Sequence, residues 1–220
     1  MRKCKGKREI WLLIYLHRNV KAHIHAYLLI VRLADSVGGC ASLYAQERHD
    51  HYRWPVKTLT DPYADSIQCQ PHRTTIASIS EINPYPRYDF EKQVIQLRAR
   101  FDSVKCESDS DLHIVLSDAD GRSIVAEIPD TSELLSHYQQ QFTIARNNVI
   151  RLVWHHHRKN EGLGRNWRKP AGPTEVMVTG LLFLDEQHPN HVAGDDSNHI
   201  EIHPVLSIEA VGALPRLGAK

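Results

Sequence analysis

DLHIVLSDADGRSIVAEIP, residues 111–129, reads as two β-strands joined by a tight turn. Leu112, Ile114 and Leu116 alternate with Asp111, His113, Val115 and Ser117. Ile124, Ala126 and Ile128 alternate in the same way with Ser123, Val125 and Glu127, so each strand has one apolar and one mostly polar face. Ala119-Asp120-Gly121 suits a three-residue hairpin loop with Gly121 in the left-handed position. That loop closes Asp118 on Arg122, and counting outward sets Leu116 opposite Ile124, Ile114 opposite Ala126 and His113 opposite Glu127. A slip of one residue would mix the two faces, so this register is the expected one.

The flanking segments extend the pattern. In VIQLRARF, residues 94–101, Ile95, Leu97, Ala99 and Phe101 share a face and Gln96, Arg98 and Arg100 the other. After the hairpin, Asp130 or Thr131 is placed to cap a helix over residues 132–154, with Glu133 in its first turn. Leu134, Leu135, Tyr138, Phe142, Ala145 and Val149 form its apolar stripe. EVMVTGLLFLD, residues 175–185, and IEIHPVLSIEAV, residues 200–211, are the last two strands, with Ile200, Ile202, Leu206 and Ile208 expected inward. Three strands, a helix and two strands is the order of an OB-fold, a five-stranded Greek-key barrel. The fold expected is therefore mainly β with one main helix, an OB-fold-like barrel over residues 91–212 and a tail over 213–220.

Two segments precede the barrel. Residues 46–90 carry Pro55, Pro62, Pro71, Pro84 and Pro86 and read as an extended wrapping stretch, with a short helix starting near Thr75. Residues 1–45 read as signal-like, anchor-like or disordered. Neither of their apolar runs reaches the roughly 18 residues of a spanning helix. Lys21 to Ala45 approximates a secretory signal cleaved after Ala45, and Val37-Gly38-Gly39-Cys40 loosely resembles a lipoprotein cleavage box, although Arg32 and Asp35 interrupt the apolar core. Export to the periplasm or medium is the expectation, with a cytoplasmic protein bearing an amphipathic N-terminal helix as the alternative.

Composition limits the function classes. A formal charge of +1 and a pI near 7.8 over 220 residues supply no bulk field toward nucleic acid or membrane. The four cysteines form no C-x-x-C pair, so a structural zinc site of ordinary spacing is excluded; Cys69 and Cys106 either form one disulfide or remain thiols. No G-x-S-x-G elbow, P-loop or H-E-x-x-H helix is present, and GLGRNW lacks the strand–turn–helix setting of a dinucleotide fingerprint.

Fifteen histidines remain to be placed. In the expected barrel the third strand lies beside the fifth, which gathers His113, Glu127, Glu201 and His203 on the outer face with Asp111 at its edge. Imidazole plus carboxylate suits a divalent metal or a general base, and also an ordinary structural cross-strand pairing. The loop between the last two strands offers Asp185, His188 and Asn198 as ligand-type residues but matches no EF-hand spacing. Arg158, Lys159, Arg165, Arg168 and Lys169, interleaved with Trp154 and Trp167, form a basic patch able to grip phosphates or simply to be solvated.

RWPVKTLTDP (53–62), SDLHIVLSDADG, AEIP, VTGLLFLD and IEIHPVLSI together resemble a family of bacterial exported proteins of unassigned function. The resemblance covers about residues 52–209 and implies one exported domain without naming an activity. The reading is a binding module for nucleic acid, oligosaccharide or protein, with no cofactor; the alternative is a metal-assisted hydrolase of phosphodiesterase or nuclease type.

Overall fold

The computed structural model describes residues 53–86, 90–132, 136–153, 163–185 and 198–212. Their order is α1 (Trp54–Lys57), a 3-10 turn (Pro62–Ser66), β1 (Gln68–Arg73), α2 (Ile76–Ser80), β2 (Gln93–Cys106), β3 (Leu112–Ser117), β4 (Ser123–Ile128), α3 (Gln139–Val153), β5 (Glu175–Leu184) and β6 (Ile200–Ala210). The strands pair as β1-β2-β3-β4-β6-β5, and β5 returns to β2. Five strands therefore close into the OB-fold-like barrel, with β1 added outside the closure.

The long β2 makes closure possible. It pairs with β5 over Val94–Arg100 and with β3 over Arg100–Cys106, changing partner at a bulge between Phe101 and Ser103. Both remaining edges of β2 are covered. Parallel β1 pairs along Gln93–Gln96, and the linker after α3 docks beyond Phe101, Val104 and Arg168 exchanging backbone bonds of 2.8 and 2.7 Å.

The β3–β4 register is the one the turn chemistry demands: Leu116 opposite Ile124, Ile114 opposite Ala126, His113 opposite Glu127. Asp118 N–H donates to Arg122 O at 3.0 Å, and Gly121 has φ +84°. Thr75 caps α2 by accepting from Ser78 N–H at 3.1 Å.

Two expectations are corrected. Leu206 is only partly buried, because the β5–β6 ladder shifts on both sides of the Gly180–Val205 pair and Val205 takes the inward position. Pro204 has no N–H for the ladder, and a bulge there reverses the alternation. A Cβ on Gly180 would lie 2.7 Å from Pro204 O, so this crossing admits only glycine. Helix α3 starts at Gln139, later than its apolar pattern, and Asp130 accepts instead from Ser132 N–H and Oγ–H. Leu134 and Leu135 lie outside the described residues; Phe142, Ala145, Val149, Leu152 and Val153 are buried against the barrel.

Arg146 of α3 is also buried. It donates to Ile128 O, Pro129 O and Ser110 O at 2.9, 3.1 and 2.9 Å, locking the end of β4 to the β2–β3 turn. Ser110 directly precedes Asp111, and Ile128 directly follows Glu127. Among the described residues no helix is long and apolar enough to cross a membrane. The segments 1–52 and 213–220 lie outside those residues.

Candidate functional site: a buried ionic cluster

Two strand pairings and a turn assemble the cluster. The β3–β4 hairpin sets His113 against Glu127, and parallel pairing of Ala126 with Ile202 brings β6 beside β4. On β6, Glu201 and His203 then share a face with Glu127. Asp111 enters from the β2–β3 turn, after Ser110 at φ +74°.

His113 Nδ1 lies 2.8 Å from Glu127 Oε1. His203 Nδ1 lies 3.0 Å from Glu201 Oε1 and 3.1 Å from Glu127 Oε2. A ring nitrogen facing two carboxylates has to carry a proton, so Nδ1 is the donor. The other nitrogen, Nε2, points to Asp111 Oδ2 at 3.6 Å, too long for a hydrogen bond. Asp111 Oδ1 accepts from Asp130 N–H at 2.8 Å.

This outer face is covered rather than open to solvent. Asp111 and His203 are each 1% exposed, His113 4% and Glu201 7%. Residues 53–57 form a clasp across it. Arg53 binds Glu91 through two hydrogen bonds of 2.7 and 2.6 Å, and Glu91 also accepts from Leu184 N–H at 3.1 Å. Arg53 and Lys57 both stack over the Phe183 ring, at 4.7 and 4.9 Å. Lys57 Nζ reaches Asp185 at 3.2 Å and Glu201 at 3.5 Å. On the other side the Trp167 ring meets His113 edge-on at 5.5 Å, and Lys105 lies over Trp167 at 4.8 Å.

Burial and charge compete at every ionisable group here. Burial pulls the Lys57 ammonium down, but Glu201, Glu127 and Asp185 together hold it well above its ordinary value. Burial pushes Glu127 up, yet the His113 and His203 hydrogen bonds outweigh it and keep the carboxyl well below the usual range. Burial and Lys57 both act to lower His203, while Glu127 and Glu201 carry it up to about 9. Asp111 goes the other way: burial and neighbouring Asp109 raise it well above its ordinary value.

The remaining predicted residues separate. Asp185 is buried and pairs with Lys57. Asn198 is spent on structure, donating to Ile79 O at 2.8 Å and accepting from Ile200 N–H at 3.1 Å. His199 precedes β6 with φ +57°, and its carbonyl accepts from Asp185 N–H. His188, Arg158, Lys159 and Trp154 lie outside the described residues. Arg165 and Lys169 are exposed, whereas Arg168 is held by its backbone bridge to Val104. Cys106 is disulfide-bonded; the side chain of Cys69, the partner the sequence offers, lies outside the described residues.

Sequence reasoning did not single out Lys57, Arg53, Phe183 or Arg146. The signal for Lys57 was its place in RWPVKTLTDP, but nothing local shows which strand such a segment will cover. Beside the clasp lies a pocket of about 180 Å³, lined by Val56, Leu59, Ile67, Leu181 and Leu182 and reaching His203. No family model and no curated protein matches the chain.

Proposed function

We propose that this chain is an exported OB-fold-like binding module whose ligand is a small molecule taken into the clasped pocket. A nucleic-acid or glycan strand laid across the barrel is the reading it displaces. The observation that carries the proposal is the clasp: Arg53 and Lys57 cover the outer face above Glu201, Phe183 and Asp185. OB-folds ordinarily take extended ligands across their second and third strands, here β3 and β4, whereas the clasp and the small apolar pocket beside it lie on β5 and β6, which favours something small.

Energetics support the same reading. Burying paired charges is at best weakly stabilising compared with apolar packing, and such costly clusters concentrate at functional sites. Each of the five segments that carry the family resemblance also contributes a charged side chain: Arg53 and Lys57, Asp111 and His113, Glu127, Asp185, and Glu201 with His203. Export is supported by the Lys21–Ala45 pattern and by the disulfide at Cys106, since disulfides persist in oxidising compartments.

The test is a thermal-shift screen of the full chain against nucleotides, monosaccharides and small carboxylic acids, beside oligonucleotide and glycan arrays. A small ligand should raise the melting temperature, and Val56→Trp, which fills the pocket, should abolish the shift. Salt-sensitive retention on the arrays, unchanged by Val56→Trp, would overturn the reading and move the site to the exposed Trp167–Lys169 edge. N-terminal sequencing of protein recovered from cell fractions checks export; an intact Met1 confined to the cytoplasm removes it.

A further inference from the structure

We propose that Asp111, Glu127 and His203 form a binding site for a divalent transition-metal ion, zinc or its near relatives cobalt and manganese, at the closed end of the ionic cluster. The pocket reaches His203, so the ion is read separately from any pocket ligand, by elemental analysis and by its visible absorption.

The first support is a pair of orphaned atoms. Asp111 Oδ2 and His203 Nε2 are buried without a hydrogen-bond partner, and they face each other. Leaving both unmatched in the interior is costly. Their separation of 3.6 Å is too long for a direct hydrogen bond. It does match a shared ion: ligands about 2.1 Å from a tetrahedral metal lie roughly 3.4 Å apart. Glu127 is the third ligand: one ligand atom from each of the three residues lies within 4.8 Å of the others, and an ion would draw a Glu127 oxygen in from its contact with a histidine.

The second support is that every candidate ligand is held by a partner of its own. Glu201 accepts the Nδ1 proton of His203 at 3.0 Å, which aims Nε2 inward. Asp130 N–H fixes the far oxygen of Asp111 at 2.8 Å, and His113 Nδ1 holds Glu127 at 2.8 Å. Metal ligands are characteristically braced this way, histidine through its second nitrogen onto a carboxylate and carboxylates through hydrogen bonds. Arg146 ties down the backbone next to each carboxylate, at Ser110 before Asp111 and at Ile128 after Glu127.

Charge and chemistry select the ion. Asp185 and Glu201 face the Lys57 ammonium, while Asp111 and Glu127 face His203. Two carboxyl groups converging on one imidazole favour a dication. One imidazole with two carboxylates in a closed space suits zinc, cobalt or manganese better than magnesium, which prefers oxygen and keeps several waters.

The experiment uses the full chain, purified without chelator or metal affinity resin. Elemental analysis should find stoichiometric zinc or manganese. After EDTA stripping, Co²⁺ should restore a visible absorption band and raise the melting temperature. Asp111→Asn, nearly isosteric, should weaken Co²⁺ more than about 100-fold, and Glu201→Gln, which removes the His203 brace, should weaken it by about 10–100-fold. A stripped protein that is folded by circular dichroism yet gives no Co²⁺ band overturns the site. So does an Asp111→Asn variant that binds as tightly as the parent. A pocket-ligand shift that survives stripping supports the small-molecule reading alone, so either proposal can fail without the other.

Discussion

Replacing Lys57 by methionine tests the clasp directly. The Lys57 side chain is 12% exposed, and its partners Asp185 and Glu201 are 8% and 9% exposed. Methionine preserves most of the stem that packs on Phe183 but removes the charge. Glu201, Glu127 and Asp185 would then keep their burial while losing the cation that offsets it. Breaking a buried pair on one side costs about 3–5 kcal/mol. For a domain of this size each kcal/mol moves the melting temperature by about 2–4 °C, so the variant should melt about 6–20 °C lower. Thermal unfolding followed by circular dichroism reads this, at low and high salt. The loss should persist at high salt, because a desolvated pair is screened little. Adding Glu201→Gln to Lys57→Met should recover part of it. A melting temperature within 2 °C of the parent, or a loss that vanishes in high salt, would show that Lys57 is solvated and that the clasp does not close the face.

Four further outcomes follow from the same structure. Gly180→Ala should lose about 1–3 kcal/mol in urea unfolding, because the new methyl meets Pro204 O at 2.7 Å and Val205 Cα at 3.1 Å, backbone that cannot step aside. Arg146→Met should cost more than about 2 kcal/mol by the same measurement, leaving three buried carbonyls without their donor. Arg53→Lys should lose about 1–2 kcal/mol, since an ammonium cannot reproduce the paired bonds to Glu91. Asp118 should titrate below its ordinary 3.8: slight burial raises it, but hydrogen bonds from Arg122 and Asp120 outweigh that. Its contribution to stability is then present above the unfolded value and lost as pH falls through the lowered folded one. An NMR titration showing an ordinary or raised value would refute the turn geometry.

Much of the barrel was legible because its information is local. Alternation marks a strand, Ala119-Asp120-Gly121 sets a turn, and the turn sets which residues oppose. His113 against Glu127 follows from counting alone, and their 2.8 Å contact agrees. The misreadings lie where one residue breaks a period. Pro204 and Gly180 produce the shifted ladder that exchanges Leu206 for Val205, and α3 begins after its apolar pattern does.

The cluster divides along the same line. Residue type and strand order by themselves bring His113, Glu127, Glu201 and His203 to one face, since period-two geometry and OB-fold order are properties of short segments and their succession. Whether that face meets water is decided by residues 53–57 and Trp167, which approach it from far along the chain. No pattern within β3, β4 or β6 encodes what will lie over them. Tertiary structure alone turned four ordinary surface residues into a desolvated cluster, left Asp111 Oδ2 and His203 Nε2 facing each other without partners, and made Lys57 part of the site. The physical reason is that secondary structure depends on neighbours in sequence, whereas burial, and with it the strength of every charge in the cluster, depends on what packs across it.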